Sequence, residues 1–164
     1  MLISSADPHG DPERIAALAG EIWRAHYTPI VGSEQVEYML ATVESAANIR
    51  AQMHAGHAYY VLTEEGVLVG YLSVVSEPAH GRMKLNKFYL SAQARGAGLG
   101  RQALSFVEDL CRAQGLTTLW LLVNKMNPTV AIYERLGFVR TESLVTDIGS
   151  GFVMDDYRME KRIL

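Results

Sequence analysis

The 164-residue chain has one cysteine, Cys111, so an internal disulfide is excluded. It falls on the apolar side of a predicted helix and reads as a small core residue in a reducing compartment. Basic charge is scarce: 15 Lys and Arg stand against 18 Asp and Glu, and a formal charge of −3 leaves no footprint for nucleic acid. No apolar run is long enough to span a membrane, and the acidic N-terminal stretch lacks a signal-peptide pattern. A cytoplasmic protein with no nucleic-acid or membrane partner is the expectation. Familiar motifs are missing too. There is no Walker pattern, no G-x-S-x-G nucleophile elbow, and no acidic residue ending the strand after the glycines, where a dinucleotide ribose needs one. His54 and His57 have no Cys or carboxylate cluster beside them, so no metal is expected. No linker, internal repeat or low-complexity segment appears. With 49% of residues hydrophobic and 20% charged, the chain reads as one globular domain, residues 1–164.

What is present is an ordered succession of periodicities. Met1 to Ser5 suits a short strand, broken by Asp7-Pro8-His9-Gly10. Asp11 is placed to cap a helix with Pro12 at its first position and Ile15, Leu18, Ala19, Ile22 and Trp23 as its apolar stripe. Pro29 stops it, Ser33 starts a second helix and Ser45 a third, which ends at Gly56. The pattern then turns to β: Tyr59 to Leu62, Val67 to Val75 and Met83 to Leu90, joined by turns short enough for an antiparallel meander. A helix ending near Gly115 separates these from Leu119 to Val123, an apolar run expected of a buried strand parallel to its predecessor. Asn127 and Pro128 open another helix that Gly137 closes. Phe138 to Thr141 and Met154 to Ile163 complete the chain as a hairpin turning near Asp147 to Gly151. The expectation is an α+β fold with a mixed sheet.

The most informative stretch runs from Asn86 to Leu110. Phe88, Tyr89 and Leu90 end a strand, Gly96, Gly98 and Gly100 permit positive φ or close approach, and Leu99, Ala103, Leu104, Val107 and Leu110 then recur at helical spacing. A glycine turn opening a helix presents unpaired N–H groups at the positive end of the helix dipole, bracketed here by Arg95 and Arg101. That suits an anion, although the same pattern also serves an ordinary strand-to-helix connection.

R-G-A-G-L-G after one strand and N-K-M-N-P-T-V-A-I-Y-E-R-L-G-F after the next resemble the GNAT superfamily of acyl-CoA-dependent N-acetyltransferases, from about Tyr59 onward. The superfamily pattern [Q/R]-x-x-G-x-[G/A] fits two registers, Gln93-x-x-Gly96-x-Gly98 and Arg95-x-x-Gly98-x-Gly100, and the second places its last glycine against the helix. The resemblance implies a mostly antiparallel central sheet, splayed at the strand before the glycine turn and flanked by helices on both faces. It implies acetyl-CoA as co-substrate. Arg95, Gly96, Ala97, Gly98, Leu99, Gly100 and Arg101 would hold its pyrophosphate, and the main chain of Phe88, Tyr89 and Leu90 its pantetheine arm, with a backbone N–H near Leu90 for the oxyanion. Asn127 would contact coenzyme A, cap the following helix, or do both. Tyr133 would protonate the departing thiolate, its alternative being a buried aromatic.

The implied acceptor is a primary amine: a small amine or polyamine, or a protein N-terminus or lysine. Tyr27, Tyr38 and Asp155 are the candidate acceptor contacts. Superfamily members often pair, so a homodimer is also implied. The general base is the gap. Relatives often carry a glutamate on one of two core strands, which here read M-K-L-N-K-F-Y-L and L-W-L-L-V-N. A water chain, or Glu77, Asp155 or Asp156, is the alternative, and with Glu37 and Glu44 the two aspartates read first as a solvated acidic face. Without a base, a non-catalytic acyl-CoA-binding module is the competing reading.

Overall fold

The computed structural model describes residues 1–164. Strand β1 (Leu2–Ser5) precedes helices α1 (Asp11–His26), α2 (Thr28–Val31), α3 (Ser33–Ala41) and α4 (Ala46–His54). Then come β2 (Ala58–Glu64), β3 (Val67–Glu77), β4 (Arg82–Leu90), α5 (Leu99–Ala113), β5 (Thr118–Asn124), α6 (Thr129–Arg135), β6 (Val139–Gly149) and β7 (Phe152–Arg162). The strands form one seven-stranded sheet in the order β1-β2-β3-β4-β5-β7-β6. β4 and β5 are parallel; β1/β2, β2/β3, β5/β7 and β6/β7 are antiparallel. The expected α+β class and mixed sheet are therefore present. By contact density the chain forms two compact units, Met1–Val75 with Lys87–Phe106, and Ser76–Asn86 with Val107–Leu164.

In the first unit, the stripe of α1 is buried as its spacing requires, with Ile15, Ala19, Ile22 and Trp23 all in the core. Its start differs from expectation. Gly10 holds the cap position and Asp11 is the first helical residue, its carboxylate accepting the Asp7 N–H at 2.7 Å and pairing with Arg14 at 2.6 Å. A buried carboxylate thus ties the preceding loop to the helix from inside the first turn. Pro29 does not simply end helical structure but sits in the single turn α2. The expected third helix is α4, which starts at Ser45 as the sequence places it, and Ser45 caps it, accepting the Asn48 N–H at 3.1 Å.

The sheet of this unit is covered on both faces. Tyr60 meets Phe106 of α5 edge to face at 5.0 Å. On the other side, Tyr71 donates to the Glu44 carboxylate at 2.9 Å. Glu44 is only 1% exposed and faces Lys87 of β4, 3% exposed, at 3.4 Å, while the Lys87 ammonium also donates to the Val43 carbonyl at 2.8 Å. The solvated reading of Glu44 is corrected: it is a core ion with its own cation and phenol. Burial pushes the Glu44 carboxyl up and the Lys87 ammonium down, and their mutual attraction opposes both shifts. Strand β3 also approaches β4 closely. A Cβ on Gly70 would lie 2.7 Å from the Tyr89 carbonyl oxygen and 2.7 Å from Leu90 Cδ2, so only glycine fits there.

In the second unit, the β4/β5 register covers Arg82–Lys84 against Thr118–Trp120, although β4 continues to Leu90 and β5 to Asn124. Strand alternation sorts β5 cleanly. Leu119, Leu121 and Val123 share one face with Met159 of β7; Trp120, Leu122 and Asn124 share the other with Glu160, Arg158 and Asp156. The terminal hairpin turns at Ser150, close to where the sequence places it, and β7 has about the expected length, but β6 is far longer than the expected Phe138 to Thr141. Nearly all of β6 is exposed, so it carries no apolar alternation from which its length can be read.

Two outcomes follow from the first unit. Lys87→Met leaves Glu44 buried without its cation and should lower unfolding free energy by about 3–5 kcal/mol, with Lys87→Met/Glu44→Gln recovering most of the loss; urea denaturation of both variants measures this. Gly70→Ala should cost about 1–3 kcal/mol by overpacking, read as a lower thermal midpoint.

Candidate active site

The first unit carries the glycine turn. Leu90 ends β4, the Ser91 N–H donates to the Val69 carbonyl at 2.8 Å, and Ala92–Ala94 make one 3-10 turn. Arg95 Nε reaches back to the Leu90 carbonyl at 3.3 Å. Gly96 and Gly98 then take φ of 81° and 77°, left-handed values that L side chains rarely adopt. Both have open space where a Cβ would project, and Arg95 to Gly98 are all exposed. Leu99 is buried and anchors the start of α5. Gly100 lies in the first helical turn, where a Cβ would make ordinary contact with Leu90 at 3.6 Å. The Gln102 N–H donates to the Gly98 carbonyl, so the N–H groups of Leu99, Gly100 and Arg101 precede that bond at the positive end of a 15-residue helix. The turn is built of exposed backbone with its curvature enforced by two glycines, which is what close approach to a pyrophosphate requires. The side chains of Phe88, Tyr89 and Leu90 are half-buried on the strand leading into it.

Two of the acceptor candidates lie in the same unit. Tyr27 is buried, its ring stacked 4.1 Å from Trp23 and edge-on to Tyr89 at 6.2 Å. It joins Tyr89 in one aromatic cluster, so these two expected site residues are brought together. Tyr38 is half-buried on α3, its carbonyl accepting the Thr42 hydroxyl at 2.7 Å.

The second unit carries Asn127, Tyr133 and the two adjacent aspartates. Asn127 is buried, accepts the Thr129 N–H on Oδ1 at 3.0 Å, and so satisfies an orphan donor at the start of α6. Tyr133 is half-buried in α6, edge-on to Phe138 at 5.4 Å. Burial holds its phenol well above the ordinary tyrosine value, which keeps it protonated and able to donate at neutral pH. Asp155 is exposed and paired with Lys125 at 2.6 Å.

Asp156 departs from its expected place on a solvated face. It is 5% exposed, and its Oδ1 is buried without a hydrogen-bond partner. Burial, reinforced by the neighbouring Asp155 charge, lifts its carboxyl to about 6 against the pull of Lys84 and Lys125. Glu77, the third alternative base, is fully engaged, accepting the Trp120 indole N–H at 3.0 Å and pairing with Arg82 at 2.6 Å. Nothing in the sequence separates Asp156 from Asp155 except strand parity, and parity becomes legible only once β7 is seen to pair with β5.

Comparison with known proteins agrees with this geometry. The model of the acetyltransferase (GNAT) domain matches residues 27–161. N-acetyltransferase family 8 member 2 of Rattus norvegicus is 30% identical over 97 residues, 56% of this chain and 43% of its own length. Across the curated relatives it matches, the chain spans about half their length, from 43% to 60%. Among solved structures, the PaiA N-acetyltransferase of Thermoplasma acidophilum, in complex with coenzyme A, superposes with a TM-score of 0.78 at 20% identity, covering 99% of each chain. A GCN5-related N-acetyltransferase of Rhodopseudomonas palustris reaches 0.82 at 19% identity, covering 98% of this chain and 94% of that one. These structures share the fold, and the family model runs from Tyr27, at the aromatic cluster, to Lys161 in the last strand. The chain belongs to the GNAT family of acetyltransferase domains.

Proposed function

We propose that the protein transfers an acetyl group from acetyl-CoA to a primary amine, by direct attack in a ternary complex, with residues 1–164 working as one catalytic domain. The observation that carries this reading is the exposed turn at Gly96 and Gly98 running into α5. Its positive-φ glycines leave backbone N–H groups accessible without side chains in the way, which suits a pyrophosphate and serves no packing need. The coenzyme A bound to the Thermoplasma acidophilum PaiA enzyme supports the same donor.

On this reading Arg95 to Arg101 bind the pyrophosphate, with the two arginines adding charge at the rim. The main chain of Phe88 to Leu90 pairs with the amide-bearing arm as an added strand would. Asn127 contributes a polar contact to coenzyme A in addition to its cap. The reacting amine arrives as an ammonium with pKa of about 10 and loses a proton before its nitrogen bonds the acyl carbon. Tyr133 then gives its proton to the sulfur as the carbon–sulfur bond breaks. A phenol is neutral at pH 7 and so has the proton to give, although burial makes this one a weaker acid, and a thiolate leaves far more readily when it is protonated on departure.

For the acceptor, a polyamine or other small primary amine stands first, with a peptide N-terminus or lysine second. Tyr38 offers a half-buried hydroxyl to an ammonium, and the stacked Tyr27 of the same unit offers a rigid wall.

The test is an acceptor screen that follows free thiol released from acetyl-CoA. Release with at least one amine is the expected result; none across polyamines, amino acids, aminoglycosides and peptides would sink the reading. Tyr133→Phe should lower kcat by roughly 10²–10⁴-fold while acetyl-CoA affinity, measured calorimetrically, holds. Gly98→Trp should weaken acetyl-CoA by tenfold or more, ~1.4 kcal/mol, since its indole fills the space the pyrophosphate needs.

A further inference from the structure

The second unit holds a carboxylate that its packing does not explain. Asp156 sits within β7, paired across the ladder with Asn124 of β5 and Leu144 of β6. Most buried polar atoms find partners, and a strand-interior oxygen left unpaired is retained only against a cost. Asn124, its cross-strand neighbour, spends its own side-chain oxygen on the Met126 N–H at 2.8 Å.

The surroundings of Asp156 separate it from the other candidates. From β4, Lys84 projects onto the same face, its ammonium 5.0 Å from the centre of the Trp120 ring. Lys125, following β5, is held by Asp155. On its own strand, Arg158 lies over Trp120 at 4.0 Å and pairs with Glu160 at 3.3 Å. The β6 partner, Leu144, carries no charge. Both cations near Asp156 favour its ionised form, yet burial and Asp155 outweigh them. The result is a carboxylate that is ionised at neutral pH and more basic than an ordinary aspartate.

Lys161 and Met159 lie on the opposite face of β7 from Asp156. Lys161 pairs there with Glu108 of α5, and a Cβ on Gly137, just past α6, would meet Lys161 Cε at 3.3 Å. Gly137, just past α6, therefore lies on the Met159 face. Acyl transfer needs one group to remove a proton from the incoming nitrogen and another to supply one to the departing sulfur, and these atoms lie on different sides of the acyl carbon.

Resting on the acetyltransferase reading, we propose that Asp156 is the general base, taking the acceptor's ammonium proton on its carboxylate, directly or through one water. The nitrogen–hydrogen pair becomes the nitrogen lone pair, which forms the carbon–nitrogen bond. The carbon–sulfur pair leaves with sulfur, which receives the Tyr133 proton. The nitrogen, positively charged once bonded to the acyl carbon, loses its second proton through solvent to the Tyr133 phenolate, and Asp156 releases its own proton to solvent, leaving an amide and a thiol.

The experiment compares wild type and Asp156→Asn, using acetyl-CoA and the best amine from the screen, from pH 5 to 9.5. Wild-type kcat/KM should rise through an acid limb with a midpoint near 6. In Asp156→Asn the limb should vanish and kcat/KM at pH 7 should fall by about 100-fold or more, with acetyl-CoA affinity unchanged. Asp156→Glu should restore part of the rate and a shifted limb, which a merely structural role would not produce. A carboxyl-carbon NMR titration reads the same group without turnover, and a midpoint in the ordinary aspartate range near 4 would overturn the proposal. Wild-type turnover with Asp156→Asn equally active and unchanged in pH profile overturns it alone. A wild type that acetylates no amine overturns the acetyltransferase reading and this inference with it.

Discussion

The buried contact between Glu44 and Lys87 ties the connection after α3 to the strand that leads into the glycine turn. Lys87 comes immediately before Phe88, so its position fixes where the half-buried run to Leu90 begins. Two charges removed from water gain little net stability unless each lone pair and proton is used, and here Tyr71 and the Val43 carbonyl complete the set. Gly70 acts on the same strand from the opposite direction, by permitting an approach that any side chain would block. Ion pair and glycine together hold the strand end rigid beneath a turn whose own backbone is exposed, a division of labour that binding sites on rigid scaffolds commonly show.

In the second unit, the organising constraint is the period of two along β5 and β7. One parity packs Leu119, Leu121, Val123 and Met159 beneath helices; the other carries Trp120, Asn124, Asp156 and Arg158. Adjacent aspartates acquire opposite chemistry by this rule alone. Asp155 is an exposed ion-pair partner, whereas Asp156 is buried with an unpaired oxygen and a raised pKa.

Much of this was readable from residues. The stripe of α1, the start of α4 at Ser45, the β-meander and the parallel placement of β5 all follow from local patterns with a physical cause, and the glycine turn with Asn127 and Tyr133 carried the family. What stayed hidden was long-range. Glu44 looks like a surface acid because its partner lies 43 residues away on β4. Asp156 looks like Asp155 until strand pairing assigns each a face. The length of β6 was illegible because exposed strands need no alternation, and Asp11 was misplaced by one position because an acid beside Pro12 suits either side of a helix start.

The two tryptophans divide between the units, Trp23 in the first and Trp120 in the second. Their environments contrast sharply. Trp23 is 2% exposed, stacked on Tyr27, with an indole N–H that finds no acceptor, whereas Trp120 donates to Glu77 and lies beneath Arg82, Lys84 and Arg158. An indole in an apolar stack emits at short wavelength, and one ringed by cations is shifted and partly quenched. Each compact unit thus carries its own indole, one in an apolar stack and one among cations, so the two report on surroundings of opposite character.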